Sequence, residues 1–283
     1  MKNRISTGGK FTWTAKFRAG YMSGLRNRVR LLVMKQLPFL DFTARDCRVS
    51  LLIVIIAFCS IRSFGQSSTG WKLEKMPADL ETDFALSSLP PYIRGGATVY
   101  LLDPDKGFYV ARQGTNGFIC FVLRTYWELA EFRQDLASAI SYDAEGAKTI
   151  FPVYADVEAM RASGKFTAAQ IKDTISARFA QGYYKAPARA GLSYMLAPVM
   201  MSYVGHQGSD GHVQAFILPH YMFYAPYVST EDIGGNSPSG GPTILGDGKG
   251  PHGYIMVPVG AMEKAQMSEE NAPLLKRLIA YKA

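Results

Sequence analysis

The sequence predicts an α+β domain built on a largely antiparallel sheet of five to seven strands, with helices mostly on one face. Two observations lead to this prediction. Short segments rich in β-branched and aromatic residues, separated by turn residues, begin near position 97. Segments with capping residues and a three- or four-residue apolar repeat follow them along the chain.

Residues 1–65 of the 283-residue chain are predicted to be a presequence, followed by a single domain at 66–283. The apolar run at 50–59 has the length of a signal-peptide h-region and is short for a bilayer span. Ser63 and Gly65 then place small residues at the −3 and −1 positions of a cleavage site. We therefore predict a cleaved signal peptide and no stable membrane insertion after cleavage.

Cleavage between Gly65 and Gln66 places the domain in the periplasm or outside the cell. The apolar run begins unusually far from position 1, so the true start is predicted to be Met34. A retained membrane anchor and an organellar transit peptide are the alternatives.

The charge of the chain is divided unevenly between these two parts. Residues 1–65 contain 12 lysines and arginines and two acidic residues, whereas the rest of the chain contains 19 basic and 21 acidic residues. The overall net charge of +8 therefore comes from the presequence. The domain has no basic excess that would bind phosphate, so nucleic acid is not a predicted partner.

Residues 97–125 are predicted to form three short strands joined by two tight turns. The first turn ends at Gly107, and Asn116-Gly117 is a strong signal for a second hairpin. The third strand, at 118–123, is apolar at every position. Both of its faces should therefore be covered, which predicts a central strand.

Helices and further strands are predicted in the rest of the domain. Thr125 and Glu128 form a capping-box pattern that predicts a helix running to about Ile140, and a second such box begins at Thr167. A loop is expected at 141–149. The other predicted elements are a helix at 154–162, strands within 190–204, at 212–218 with a continuation at 221–224, and at 254–259, and a last helix capped by Ser268.

The candidate ligand-binding residues lie in the second half of the domain. The glycine-rich segment 234–253 is long for a loop inside a compact domain, and such loops are often functional. His220 lies among aromatic residues beside a proline, and His252 comes directly before a strand. If the two strands are neighbours, both imidazoles line one cleft in the 212–228 region, with Tyr224 as a third polar contact and the segment as its lid.

Three functions from different classes follow from these residues. The leading hypothesis is a secreted or periplasmic domain that binds a small apolar or aromatic molecule. The alternative is a small hydrolase or isomerase with His220 or His252 as general base, because an imidazole titrates near neutral pH. Asn116 is a further candidate ligand contact, and in the enzyme it would be an electrophilic partner. A protein-interaction module of the cell envelope is the third possibility.

Other chemistries are not supported by the sequence. His206, Asp210 and His212 match no metal-ligand spacing and are predicted to lie in an exposed turn, so no metal site is predicted. Cys120 lies within an apolar strand and is expected to be a core thiol. The chain has no GxSxG nucleophile motif and no phosphate-binding GxxxxGK[ST] motif, and no cofactor is predicted.

Four segments of the domain carry a resemblance to known proteins: ARQGTNGFICFV (111–122), APARAGLSYMLAPV (186–199), PHYMFYAP (219–226) and GPHGYI (250–255). Together they resemble a family of secreted bacterial proteins with no assigned activity. The similarity covers about Pro77 to Tyr281, and it implies a signal peptide, a single domain and no particular reaction. His220 and His252 belong to the shared segments, whereas His206 and His212 lie in a stretch that looks variable.

Overall fold

A computed structural model of the chain describes residues 73–130, 132–203, 213–235, 243–246 and 249–282. The predicted presequence lies outside the described residues. The helices are α1 (Ala78–Ser87), α2 (Pro91–Arg94), α3 (Ala144–Thr149), α4 (Phe151–Ala162), α5 (Ala168–Ala180), α6 (Ala261–Glu270) and α7 (Ala272–Lys282). The strands are β1 (Thr98–Asp103), β2 (Gly107–Arg112), β3 (Ile119–Leu123), β4 (Ala137–Tyr142), β5 (Leu192–Met195), β6 (Met200–Tyr203), β7 (Val213–Phe216), β8 (His220–Tyr224), β9 (Thr243–Leu245) and β10 (Tyr254–Pro258).

The ten described strands belong to one sheet in the order β2-β1-β3-β4-β5-β8-β10-β9, with β6 pairing with β4 and β7. The β1–β3 pair is parallel, and the other pairs are antiparallel. The α+β class is therefore confirmed. The predicted sheet of five to seven strands is wrong, because the sheet is larger and mixed.

Helices cover both faces of this sheet, so the prediction that most lie on one face is also wrong. The alternating side chains of β3 explain why. Cys120 and Val122 pack on the face covered by α1 and α7, whereas Phe121 packs on the face covered by α4. All five residues of β3 are buried, which confirms the predicted central strand with cover on each side.

The loop at Gln113–Phe118 is a crossing loop, not the hairpin predicted from Asn116-Gly117. It passes the beginning of β1 and delivers β3 to the far side of that strand, in parallel. The loop is held at Gly96, whose carbonyl oxygen accepts hydrogen bonds from the N–H groups of Thr115 (2.7 Å) and Asn116 (3.1 Å). The backbone approaches so closely here that a Cβ atom on Gly114 would lie 2.3 Å from the carbonyl oxygen of Gly96.

The segment predicted as a helix from Thr125 to Ile140 contains a 3-10 turn at Trp127–Leu129 and, from Ala137, β4. The turn ends at Ala130, which has a left-handed φ of 54°. All six residues of β4 are buried between β3 on one side and β5 and β6 on the other. Leu136 and Ile140 are four residues apart, a spacing that also suits one face of a strand, and the buried sheet position decides between the two structures.

Smaller differences from the sequence-based expectations occur nearby and at the C-terminus. The expected loop at 141–149 contains α3, whose N-terminus is capped by Asp143. Ser268 lies inside α6, and the two C-terminal helices meet at Asn271. The helix after Thr167 has the capping box that the sequence predicts, so that element is confirmed.

Glu81 is a buried carboxyl group between α1 and the sheet. It is 2% exposed, and its Oε1 atom accepts a hydrogen bond of 2.9 Å from the N–H of Leu102. Burial raises the pKa of Glu81 to about 7, and the hydrogen bond from Leu102 and the charge of Arg124 oppose that rise. The folded protein therefore holds the Glu81 proton more tightly than the unfolded chain does.

Gly114→Ala is expected to lower the free energy of unfolding by about 2–3 kcal/mol, because the new methyl group would overlap backbone atoms that cannot rotate away. Urea denaturation measures this loss. Gly95→Ala is the matched control, since a Cβ atom on Gly95 meets nothing within 4 Å. Equal free energies of unfolding for the two variants would contradict the close approach of Gly114 to the backbone at Gly96.

The pKa of Glu81 also predicts a pH dependence. The folded-state pKa lies above the ordinary value of 4.5, so proton binding to Glu81 favours the folded state. Its contribution to the free energy of unfolding is fully present below pH 4.5 and is lost as the pH rises towards 7. The loss should be on the order of 2–3 kcal/mol. Urea denaturation of the protein and of Glu81→Gln across this range measures it. If the free energy of unfolding of Glu81→Gln fell with pH as steeply as that of the unchanged protein, Glu81 would not be the group responsible.

Candidate functional site

The strands that carry the two candidate histidines are neighbours, but their register keeps the histidines apart. In the antiparallel β8–β10 pair, His220 lies opposite Pro258 and Tyr224 lies opposite Tyr254. His252 comes before β10, beyond the Tyr224 end of the pair. The length of β10, roughly 13 Å for its five residues, therefore lies between the two imidazole positions. The structure does not bring them into one cleft.

His220 is enclosed at the beginning of β8. Its side chain is 2% exposed, and its Nδ1 atom lies 2.7 Å from the carbonyl oxygen of Leu218, to which it donates. Burial lowers the pKa of His220 below its ordinary value of 6.5. Its cross-strand neighbour on β5 is Met195. The imidazole is therefore a neutral group directed at the backbone.

His252 attaches the end of the glycine-rich segment to α5. Its Nε2 atom donates to the carbonyl oxygen of Lys185 at 3.0 Å, and its ring stands edge-on to Phe179 with centroids 5.0 Å apart. The side chain is 7% exposed. Much of the proposed lid, at 236–242 and 247–248, lies outside the described residues, as do His206, Asp210 and His212.

Tyr224 is part of a clasp around the carboxylate of Asp143. Oδ1 of Asp143 accepts hydrogen bonds from the Tyr224 hydroxyl (2.9 Å) and from the N–H groups of Glu145 (3.1 Å) and Gly146 (2.9 Å). Oδ2 accepts from the N–H of Leu192 at 3.2 Å. Burial and the Asp143 charge both raise the pKa of Tyr224, so its hydroxyl stays protonated and remains a donor.

Two glycines leave the space that this clasp occupies. A Cβ atom on Gly146 would lie 2.1 Å from the Tyr224 hydroxyl oxygen. A Cβ atom on Gly191 would lie 2.5 Å from Oδ2 of Asp143. The clasp joins the end of β4, the beginning of α3, and the β5–β8 pair.

Asn116 has a structural contact in the crossing loop. Its Nδ2 atom donates to the carbonyl oxygen of Ile93 at 2.8 Å, and its Oδ1 atom accepts from the N–H of Phe118 at 3.1 Å. Because Ile93 belongs to α2, this side chain holds α2 against the beginning of β3.

The structure contains a groove on the α1 and α7 face of the sheet, with a volume of about 660 Å³. Its floor is formed by the side chains of β5 and β8 that point to this face, and α2 and α6 form its sides. The described lining residues are Pro90, Pro91, Tyr92, Leu192, Tyr194, Leu196, Tyr221, Phe223, Glu263, Gln266, Met267 and Glu270.

Aromatic side chains dominate the floor of the groove. Tyr194 lies directly opposite Tyr221 in the β5–β8 pair, and their rings are 5.7 Å apart at an angle of 74°. Phe223 is the next floor residue on β8 and is 45% exposed. The Tyr221 hydroxyl donates a hydrogen bond to Glu263 across the groove edge. Tyr92, on α2, is 82% exposed.

The sequence contains part of the signal for this floor. Tyr194 belongs to the segment 190–204, in which strands are predicted, and Tyr221 and Phe223 flank Met222, which points to the core. Tyr221 and Phe223 are at alternate positions of one strand, and Tyr194 of a second strand shares their face if the two strands pair. The register of that pairing, and the position of α6 beside it, depend on the tertiary structure.

Comparisons of the chain with protein-family models, with curated proteins and with solved structures gave no match. The family resemblance inferred from the four segments therefore stays a prediction. No helix in the described part of the chain has the length and apolar character needed to cross a membrane. Within those same residues, no three His, Cys, Asp or Glu side chains are grouped as metal ligands would be.

Tyr224→Phe is expected to lower the free energy of unfolding by about 2 kcal/mol, because it removes a buried hydrogen bond to a carboxylate. Guanidinium denaturation measures the change. The control is Tyr227→Phe, three residues away, where the side chain is 62% exposed. If both variants were equally stable, the clasp would not contribute to folding.

Proposed function

We propose that this protein binds a small molecule with an apolar or aromatic body in the groove between α2, the β5–β8 floor and α6. The observation that carries the proposal is the row of aromatic side chains on the floor, including the half-exposed Phe223. Ligand sites commonly have volumes of about 300–1,000 Å³ and apolar linings with a few polar groups. With the predicted signal peptide, the ligand would be met in the periplasm or outside the cell.

The groove is supported by rigid elements, which favours binding. Its floor consists of paired strands, and the carbonyl oxygen of Ser88, just before α2, accepts a hydrogen bond of 3.2 Å from the N–H of Leu196 at the end of the floor. A preformed floor lowers the entropy lost when a ligand is ordered.

The binding proposal is preferred to a hydrolase or isomerase because of the surroundings of the two histidines. A general base must reach the proton that it abstracts. His220 and His252 are each less than a tenth exposed, and each donates a hydrogen bond to a backbone carbonyl group.

We expect ligand-observed NMR with indole, benzyl alcohol, benzoate and benzyltrimethylammonium to detect binding of at least one of these aromatic fragments. Phe223→Ser should weaken that binding about tenfold or more, because it removes a stacking surface from the floor. Tyr109→Ser is the matched control, since Tyr109 is a similarly exposed strand aromatic on β2, outside the groove.

A thermal melt of each variant confirms that the fold is retained. The proposal is wrong if none of the fragments binds, or if Phe223→Ser and Tyr109→Ser bind them equally well.

A further inference from the structure

We infer that the groove selects a ligand with a positively charged ammonium or methylated amine group; this inference rests on the small-molecule binding proposed above. The lining combines aromatic rings with two carboxylates, Glu263 and Glu270. None of the described residues that line the groove is basic. Aromatic faces and carboxylates both attract a cation, so the two parts of the lining favour the same class of ligand.

The carboxylates belong to one face of α6. Glu263, Gln266, Met267 and Glu270 have the i, i+3, i+4, i+7 spacing of residues that share a helix face, and all four line the groove. Seven residues of helix separate the two carboxylates, roughly 10 Å along the axis. The acidic edge therefore runs along one side of the aromatic floor.

Neither carboxylate forms a salt bridge with a described lysine or arginine. Glu270 accepts a hydrogen bond of 2.8 Å from Gln266. Burial lowers the pKa of Arg94, and the charge of the nearby Glu270 opposes that shift. The Nε atom of Arg94 donates to the Leu89 carbonyl oxygen at 2.8 Å. Glu263 accepts a hydrogen bond from the neutral Tyr221 hydroxyl, so no described cation neutralises its charge, and that charge can attract a cationic ligand.

The arrangement of the rings also suits a cation. The rings of Tyr194 and Tyr221 meet edge to face with their planes at 74°, so the ring that presents its edge keeps its own faces uncovered by the other ring, and a methylated ammonium group can contact them. Tyr221 donates its hydroxyl hydrogen to Glu263, which increases the electron density of the phenol ring. Met267 beside them has a flexible thioether that adapts to the shape of a ligand.

Other ligand charges fit this lining less well. An anion would be repelled by two carboxylates with no basic residue to balance them among the described lining residues. A neutral apolar molecule would cover the carboxylates without replacing the water that solvates them. A cation compensates for that loss of water through its own charge.

The test compares choline with 3,3-dimethylbutan-1-ol, which has the same shape and hydroxyl group but carbon in place of the charged nitrogen. We expect the purified full chain to bind choline at least tenfold more tightly in an NMR titration at low ionic strength. Added sodium chloride should weaken choline binding and leave the alcohol unaffected.

Two variants assign the preference to α6. Glu263→Gln and Glu270→Gln should each reduce choline affinity about three- to tenfold without changing the affinity for the alcohol. Glutamine at 263 keeps an acceptor for the Tyr221 hydroxyl, so the shape of the groove is retained. Glu269→Gln is the control, because Glu269 lies on the same helix and is not among the residues that line the groove.

The outcomes separate this inference from the proposed function. If choline and 3,3-dimethylbutan-1-ol bind equally well, or if only neutral fragments bind, the groove is a binding site and the preference for a cation is wrong. The preference is also wrong if neither glutamate variant changes choline affinity. If choline, the alcohol and all four aromatic fragments fail to bind, the proposed function itself is wrong, and this inference falls with it.

Discussion

The carboxylate of Asp143 is the interaction on which the middle of this structure depends. It accepts hydrogen bonds from the beginning of α3, from the first residue of β5 and from the last residue of β8, so one side chain joins three elements that are far apart in the chain. The contact requires glycine at 146 and 191, because a Cβ atom at either position would occupy the space of the clasp. β5 and β8 form the floor of the groove, and the clasp holds the end of that pair against β4.

A second constraint acts on α2, which forms one side of the groove. The crossing loop after β2 can pass the beginning of β1 because Gly114 has no side chain, and Asn116 in that loop donates to the carbonyl oxygen of Ile93 in α2. Tyr92 of α2 is therefore presented to the groove by a segment held to the sheet. Asn116 and Tyr224, two residues first considered as ligand contacts, both make contacts that hold the elements around the groove.

The success of the sequence-based predictions depends on whether the signal is local. The capping box at Thr167 needs only four residues to form, and the apolar strand ending at Leu123 is central for the reason that its composition indicates. The Asn116-Gly117 signal for a hairpin is local as well. The pairing partner of β3, however, depends on the arrangement of the whole sheet, and the chain crosses β1 to pair with it in parallel. The Thr125–Ile140 segment has a helical apolar spacing, yet burial between β3 and β5 makes its last four residues part of a strand.

The sequence by itself determined that the domain is α+β, that β3 is buried on both faces, and that Tyr221 and Phe223 are at alternate positions of the segment that becomes β8. These properties follow from composition and spacing within a few residues. The tertiary structure decided the number of strands, the cover on both faces and the position of the groove, because each depends on pairing between distant segments. The antiparallel register of β8 and β10 separates His220 from His252, and the placement of α6 brings Glu263 to Tyr221. Long-range register is set by the burial of many side chains together, which no local pattern encodes.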